Sequence, residues 1–164
     1  MATVSVKKTV ASFPAVDLLG YAITDVTFKS NIEGVEELST VYKREDIDRK
    51  TAISCNSDSP EIWRVDLTLA LKRKAWKCYA YNWSVSLIGV FKCNMPTADY
   101  PDDERERMVS QSALSILYTT AREYLRALSA PGIKGAFLLP TVSFIEAKKS
   151  FSKEKTTKKV SSTQ

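Results

Sequence analysis

Three cysteines, nineteen carboxylates and no histidine set the range of chemistry open to this 164-residue chain. Without imidazole there is no Ser-His or Cys-His nucleophile pair, no imidazole acid-base group and no His-ligated metal. Cys55, Cys78 and Cys93 form an odd set with no CxxC spacing. That pattern suggests neither a disulfide framework nor a thiolate zinc site, and it fits a reducing compartment. Carboxylate or lysine chemistry stays open, but the five glycines, at 20, 34, 89, 132 and 135, match neither GxGxxG nor GxxxxGK. The residue types therefore point away from catalysis and from a bound cofactor, and toward binding.

The net charge of +5 is concentrated at one end. Residues 146–164 carry six lysines against two glutamates, which accounts for +4 of the total. Lys, Ser and Thr without apolar spacing cannot bury enough surface to order themselves, so residues 152–164 are expected to be a solvated, disordered Lys-rich tail. Residues 1–15 read as an N-terminal extension without the apolar core of a signal peptide, and no run approaches the ~20 apolar residues of a membrane span. A cytoplasmic protein without membrane insertion is expected, with one domain over residues 16–151.

Strand patterning fills the first half. In Ile62–Lys74, Trp63, Val65, Leu67, Leu69 and Leu71 alternate with polar residues. Tyr79, Tyr81, Trp83, Val85 and Leu87 repeat the pattern, and Lys72-Arg73-Lys74 between the runs marks a hairpin turn, so the two strands are antiparallel neighbours. Trp63 and Trp83 read as core. Further back, Leu19, Tyr21 and Ile23 hold one phase while Val26 and Phe28 hold the other, which predicts a bulge near Thr24-Asp25. Between Glu37 and Cys55 the alternation weakens around a charged interruption, Lys43–Lys50, and predicts an irregular edge strand carrying Val41 and Tyr42.

One long helix follows. Leu114, Leu117, Tyr118, Ala121, Leu125 and Leu128 recur at steps of three and four. The helix should begin around Pro101–Glu104, with Asp99 or Asp102 as cap, and end at Pro131-Gly132. Ile116 and Tyr124 widen its apolar arc beyond what one sheet face needs, so a second surface should cover it. A loop carrying Phe137, Leu138 and Leu139 leads to Thr141–Phe151, which can begin a shorter C-terminal helix. Four strands followed by helices, with no βαβ alternation, predict an antiparallel α+β domain.

The order of these elements and several short segments resemble the SecB chaperones of bacterial protein export. Tyr118-Thr-Thr-Ala-Arg-Glu123 is similar to that family's Tyr-Ala-Arg-Glu region, and Leu139-Pro-Thr-Val-Ser-Phe144 to its Leu-Ala-Pro-Val-Asn-Phe lead-in to the last helix. Val85–Phe91 resembles its Gly-containing fourth strand and Ile23–Phe28 its first, so the likeness runs through Val16–Phe151. The resemblance implies a four-stranded antiparallel sheet with two helices, a homotetramer built as a dimer of dimers, and a passive holdase. Such proteins keep an unfolded polypeptide client in hydrophobic grooves without ATP. For this chain the groove wall is expected from Val41, Tyr42, Phe137, Leu139, Phe144, Ile145 and Phe151, although any of these could equally be ordinary core. The subunit contact is expected from Ile116 and Tyr124, with Arg122 and Glu123 as a paired charge.

Two departures shape the partner. Lys29 stands where the family's first strand commonly has Glu, with only Asp25 keeping the sign, and the C-terminal end is Lys-rich instead of acidic. Both oppose docking onto the SecA motor, which takes acidic partners. They favour the family's toxin–antitoxin–chaperone branch, whose client is an antitoxin, over general preprotein export. The rival class is a nucleic-acid-binding module that stacks bases on Tyr79, Tyr81 and Trp83 beside Lys72-Arg73-Lys74 and Lys77.

Overall fold

The computed structural model describes residues 14–31, 38–132, 134–142 and 144. Four strands, β1 (Val16–Ser30), β2 (Ile47–Cys55), β3 (Ile62–Leu71) and β4 (Tyr81–Cys93), precede one long helix, α1 (Asp102–Ser129). The strands form one antiparallel sheet in the order β1-β4-β3-β2. The α+β architecture expected from the sequence is therefore present, with β3 and β4 adjacent and β2 at an edge.

Alternation explains which face is covered. Trp63, Val65, Leu67, Leu69 and Leu71 of β3 and Tyr81, Trp83, Val85, Leu87 and Phe91 of β4 are buried on one side, while Thr68, Asn82, Ser84 and Ser86 face the other, half-buried. α1 lies across the covered face through Val109, Ala113, Leu114, Leu117, Tyr118, Ala121 and Leu125, all buried at helical spacing. β1 breaks register with β4 at two places, between Leu18 and Gly20 and between Ile23 and Asp25. The second is the bulge predicted from the change of apolar phase. It lets Ile23 and Val26, an odd and an even residue, point to the same side.

Three local readings are corrected. The connection between β3 and β4 is longer than a hairpin turn, because Arg73–Cys78 winds into a 3-10 helix and β4 starts at Tyr81. Burial of Ala75 and donation by Trp76 Nε1 to the Leu71 carbonyl, at 3.2 Å, hold that excursion against the end of the sheet. Val41 and Tyr42 precede β2 and do not belong to it; Arg44–Asp46 forms a 3-10 turn between them and the strand. Neither Asp99 nor Asp102 caps α1, whose N-cap is Pro101, with no side-chain cap. Asp102 instead meets the buried Arg105 guanidinium at 3.4 Å. Arg105 also donates to the carbonyls of Pro60, at 2.8 Å, and Met95, at 3.1 Å, so this charge is satisfied although the residue is 1% exposed.

The helix ends near the expected Pro131-Gly132, with Ala130 as C-cap. Thr141, Val142 and Phe144 are not helical, and the rest of the expected second helix, including Ile145 and Phe151, lies outside the described residues, as do the Lys-rich tail and residues 1–13. Among the described residues no helix is long and apolar enough to cross a membrane.

At Gly89 the strand leaves no room for a side chain beneath α1. A Cβ there would lie 2.5 Å from Phe91 Cε2 and 3.0 Å from Leu117 Cδ2. Gly89→Ala should therefore cost about 1–3 kcal/mol through overpacking. Urea unfolding should show a lower midpoint with an unchanged slope; an unchanged midpoint would mean that Phe91 and Leu117 do not close the space over Gly89.

Candidate functional site

With no imidazole and no phosphate loop, the thiols are the first nucleophiles to place. Cys55 and Cys78 are exposed and Cys93 is buried, all unpaired. Burial of the sulfur pushes the Cys55 thiol above its ordinary range, which disfavours the reactive thiolate. Among the described residues no three His, Cys, Asp or Glu side chains gather in a way that could hold a metal ion. What stands out instead is the way two irregular segments, one before β2 and one after α1, are fastened over the end of the sheet.

Their fastening is aromatic. Phe137 lies against Tyr42 (ring centroids 4.7 Å apart), Trp83 (5.7 Å), Tyr81 (6.0 Å) and Phe28 (6.2 Å), and Tyr42 stacks on Tyr79 at 4.3 Å. Such contacts add to the area each ring buries. Polar atoms complete the attachment. The Tyr42 hydroxyl donates to the Tyr81 carbonyl at 2.8 Å and accepts from the Tyr81 N–H at 3.2 Å. The Phe137 N–H donates to Ser129 Oγ, the Tyr81 hydroxyl to the Gly135 carbonyl, and the Tyr118 hydroxyl to the Pro140 carbonyl. Gly135, at φ 75°, supplies the left-handed residue that turns the chain back from α1.

Because both segments are extended, alternate residues face opposite ways. Tyr42, Phe137, Leu139 and Phe144 point inward and are 1–5% exposed. Val41 and Leu138 point outward, 68% and 47% exposed, and are joined by a parallel bridge in which the Leu138 N–H donates to the Thr40 carbonyl at 3.3 Å. Of the residues expected to wall a groove, the structure thus places Tyr42, Phe137, Leu139 and Phe144 in the chain's own core and Val41 at its surface. Leu138 was passed over by sequence reasoning. The signal that could have found it is the period of two: if Phe137 and Leu139 face in, the residue between them faces out.

A second apolar surface lies at the β1 edge. Leu18, Leu19 and Tyr21 are 37%, 56% and 53% exposed. Tyr21 and Ile23 line a shallow cavity with Thr119, Thr120, Glu123 and Tyr124 of α1. Glu123 and Tyr124 thus come together with β1, and Ile116 is half-buried. The expected Arg122–Glu123 pair does not form. Glu123 binds Arg126 at 2.9 Å, three residues on, because neighbours in a helix point about 100° apart whereas residues three or four apart share a face.

No family model matches the sequence, and no curated protein does. Among solved structures, the Mycobacterium tuberculosis SecB-like chaperone in complex with a ChAD peptide from the HigA1 antitoxin is similar. Its TM-score is 0.56 at 10% sequence identity, covering 79% of this chain and 91% of that one. The fold is SecB-like. A protein of unknown function from Streptococcus agalactiae shows a looser likeness, with a TM-score of 0.39 and 9% identity over 77% of this chain and 97% of that one. In this SecB-like frame, the sheet, the long helix and the extended return segment form one continuous body.

The tyrosines of the fastening make stability sensitive to alkali. Burial, partly offset by the hydrogen bond with Tyr81, pushes the Tyr42 hydroxyl far above its ordinary range, and burial also raises Tyr79 and Tyr118. Above the unfolded value of about 10 the unfolded chain releases protons that the folded chain retains, so stability falls as pH rises. The melting temperature should hold up to about pH 10 and then drop, and Tyr42→Phe, though less stable at neutral pH, should drop less. A pH slope in Tyr42→Phe equal to that of the parent would show that Tyr42 does not contribute.

Proposed function

We propose that this protein is an ATP-independent chaperone that holds an unfolded polypeptide, with an aggregation-prone antitoxin as the client type. The observation that carries the reading is the outward pair Val41 and Leu138, held rigidly at the surface on a SecB-like frame. Exposed apolar side chains set on an anchored platform are what a client's own apolar residues can cover. Each Å² of apolar surface removed from water contributes ~25 cal/mol, so roughly several hundred Å² leaves useful affinity after ordering costs. In this reading Tyr42, Phe137, Leu139 and Phe144 form the floor that keeps the pair in place, with Ile145 and Phe151 continuing the wall.

The antitoxin type of client is favoured by the solved neighbour, which holds an antitoxin peptide, and by the basic balance of the chain. Two further parts belong to the proposal. A homotetramer, assembled as a dimer of dimers, would cover the exposed β1 residues Leu18, Leu19 and Tyr21 together with Ile116, Glu123 and Tyr124 of α1. Three unpaired cysteines suit work in the reducing cytoplasm.

Light scattering of an unfolded client without nucleotide tests the central point. The protein should suppress aggregation at roughly stoichiometric amounts. Val41→Asp/Leu138→Asp should lose most of that effect while changing stability by only about 0.5 kcal/mol, because both side chains face solvent. Full protection by the double variant would remove this surface from the mechanism. Light-scattering mass on the purified protein should give four subunits, and a monomer would sink the proposed assembly.

A further inference from the structure

Arg44 and Val142, from the two segments that carry Val41 and Leu138, join Ile47, Arg49, Leu69 and Tyr118 in lining a cavity of about 240 Å³. Its floor is apolar and its cations are unmatched. Among the described residues, none of the ion pairs formed includes Arg44, Arg49 or Arg122. Arg122 sits one turn beyond Tyr118, and its Nε is buried without a hydrogen-bond partner. All three guanidinium groups act on Tyr118, opposing the rise that burial imposes on its hydroxyl. Two of the nearby carboxylates are engaged elsewhere: Asp46 accepts from the Tyr79 hydroxyl at 2.7 Å, and Asp48 pairs with Lys72 at 3.8 Å, while the exposed Glu45 forms none of the ion pairs among the described residues. Arg49 is held in place by the Phe144 ring, with its guanidinium carbon 5.3 Å from the ring centroid.

We propose that this pocket binds a carboxylate side chain of the client, an Asp or Glu set among apolar residues, so that the protein selects acidic-apolar segments. The inference rests on the holdase reading and names the chemistry of what is held. Guanidinium groups meet a carboxylate with paired N–H donors, and the apolar walls formed by Ile47, Leu69 and Val142 cover the methylene stem that carries it. A phosphate of a nucleic-acid chain has no such stem, and its neighbours would need an open, hydrated track instead of a concave apolar one. Cation and grease together thus read two client features, the charge in the pocket and the apolar side chains over Val41 and Leu138.

The test uses the full-length protein and two labelled extended peptides of Leu, Val and Phe that differ only by Glu or Gln at one central position. Fluorescence anisotropy at low salt should show the Glu peptide binding about tenfold more tightly, as expected for a charge-assisted hydrogen bond replacing a neutral one. Arg44→Gln and Arg49→Gln should each erase most of the difference while leaving the Gln peptide's affinity within about twofold. Arg49→Lys, which keeps the charge without the fork, should retain part of it. Using both positions separates recognition from any structural loss at the Arg49–Phe144 contact. Equal binding of the two peptides would overturn the pocket's role and leave the holdase reading intact, whereas binding of neither peptide would overturn both. Tighter binding of the Glu peptide by Glu146→Gln would show that the chain's own carboxylate fills the pocket, and displacement of the Glu peptide by polyuridylate at matched ionic strength would assign it to nucleic acid. Either result would also overturn the proposal.

Discussion

Phe137, wedged among Tyr42, Tyr81, Trp83 and Phe28, is the contact on which the surface depends. One helix covers only part of a four-stranded sheet. Without further cover, the aromatic end of β4 would be open to water. Two segments with no regular hydrogen-bonding ladder of their own close that end, and they stay there because each contributes an aromatic ring to the same cluster. Backbone groups of both segments are then satisfied by side chains: Ser129 for Phe137, and Tyr79 for Lys43. A loop attached in this way behaves like a strand, rigid and alternating, although it belongs to no sheet.

Alternation converts this packing into an exposed apolar surface. Each inward ring forces its chain neighbour outward, so burial of Tyr42 and Phe137 exposes Val41 and Leu138. Stability and surface display are therefore coupled through the backbone: the apolar residues at the surface are held by those beneath them. The cost of displaying grease to water is met by the interior contacts of the same segments. The arginine-lined cavity is built by the same route, since Val142 follows Leu139 in the return segment and Tyr118 is tied to it through Pro140.

Elements read from local pattern agree with the structure where the pattern is long and regular. β3, β4 and α1 each repeat a single period over ten or more residues, and their inward faces are those the spacing implies. The β1 bulge was legible for the same reason, since a change of phase is itself a local signal. Short irregular stretches were not legible. Val41 and Tyr42 were joined to β2 because the 3-10 turn at Arg44–Asp46 has no apolar signature. Lys72–Lys74 reads as a turn, and nothing in its charges announces the 3-10 helix that follows. Arg44 and Arg49 lay inside a charged run that offered no reason to single out two residues from their neighbours.

Composition and periodicity alone determined the antiparallel α+β class, the covered face of the sheet and helix, and the absence of imidazole chemistry, because these depend on residue type and on spacing within one element. Only the tertiary structure decided which apolar residues outside those elements are core and which are surface, and which arginines form no ion pair among the described residues. Burial and charge pairing are set by neighbours far apart in the chain. Phe137 and Leu138 are adjacent and equally apolar in sequence, and it is Tyr42, Tyr81 and Trp83, from 54 to 95 positions away, that send one inward and leave the other facing water.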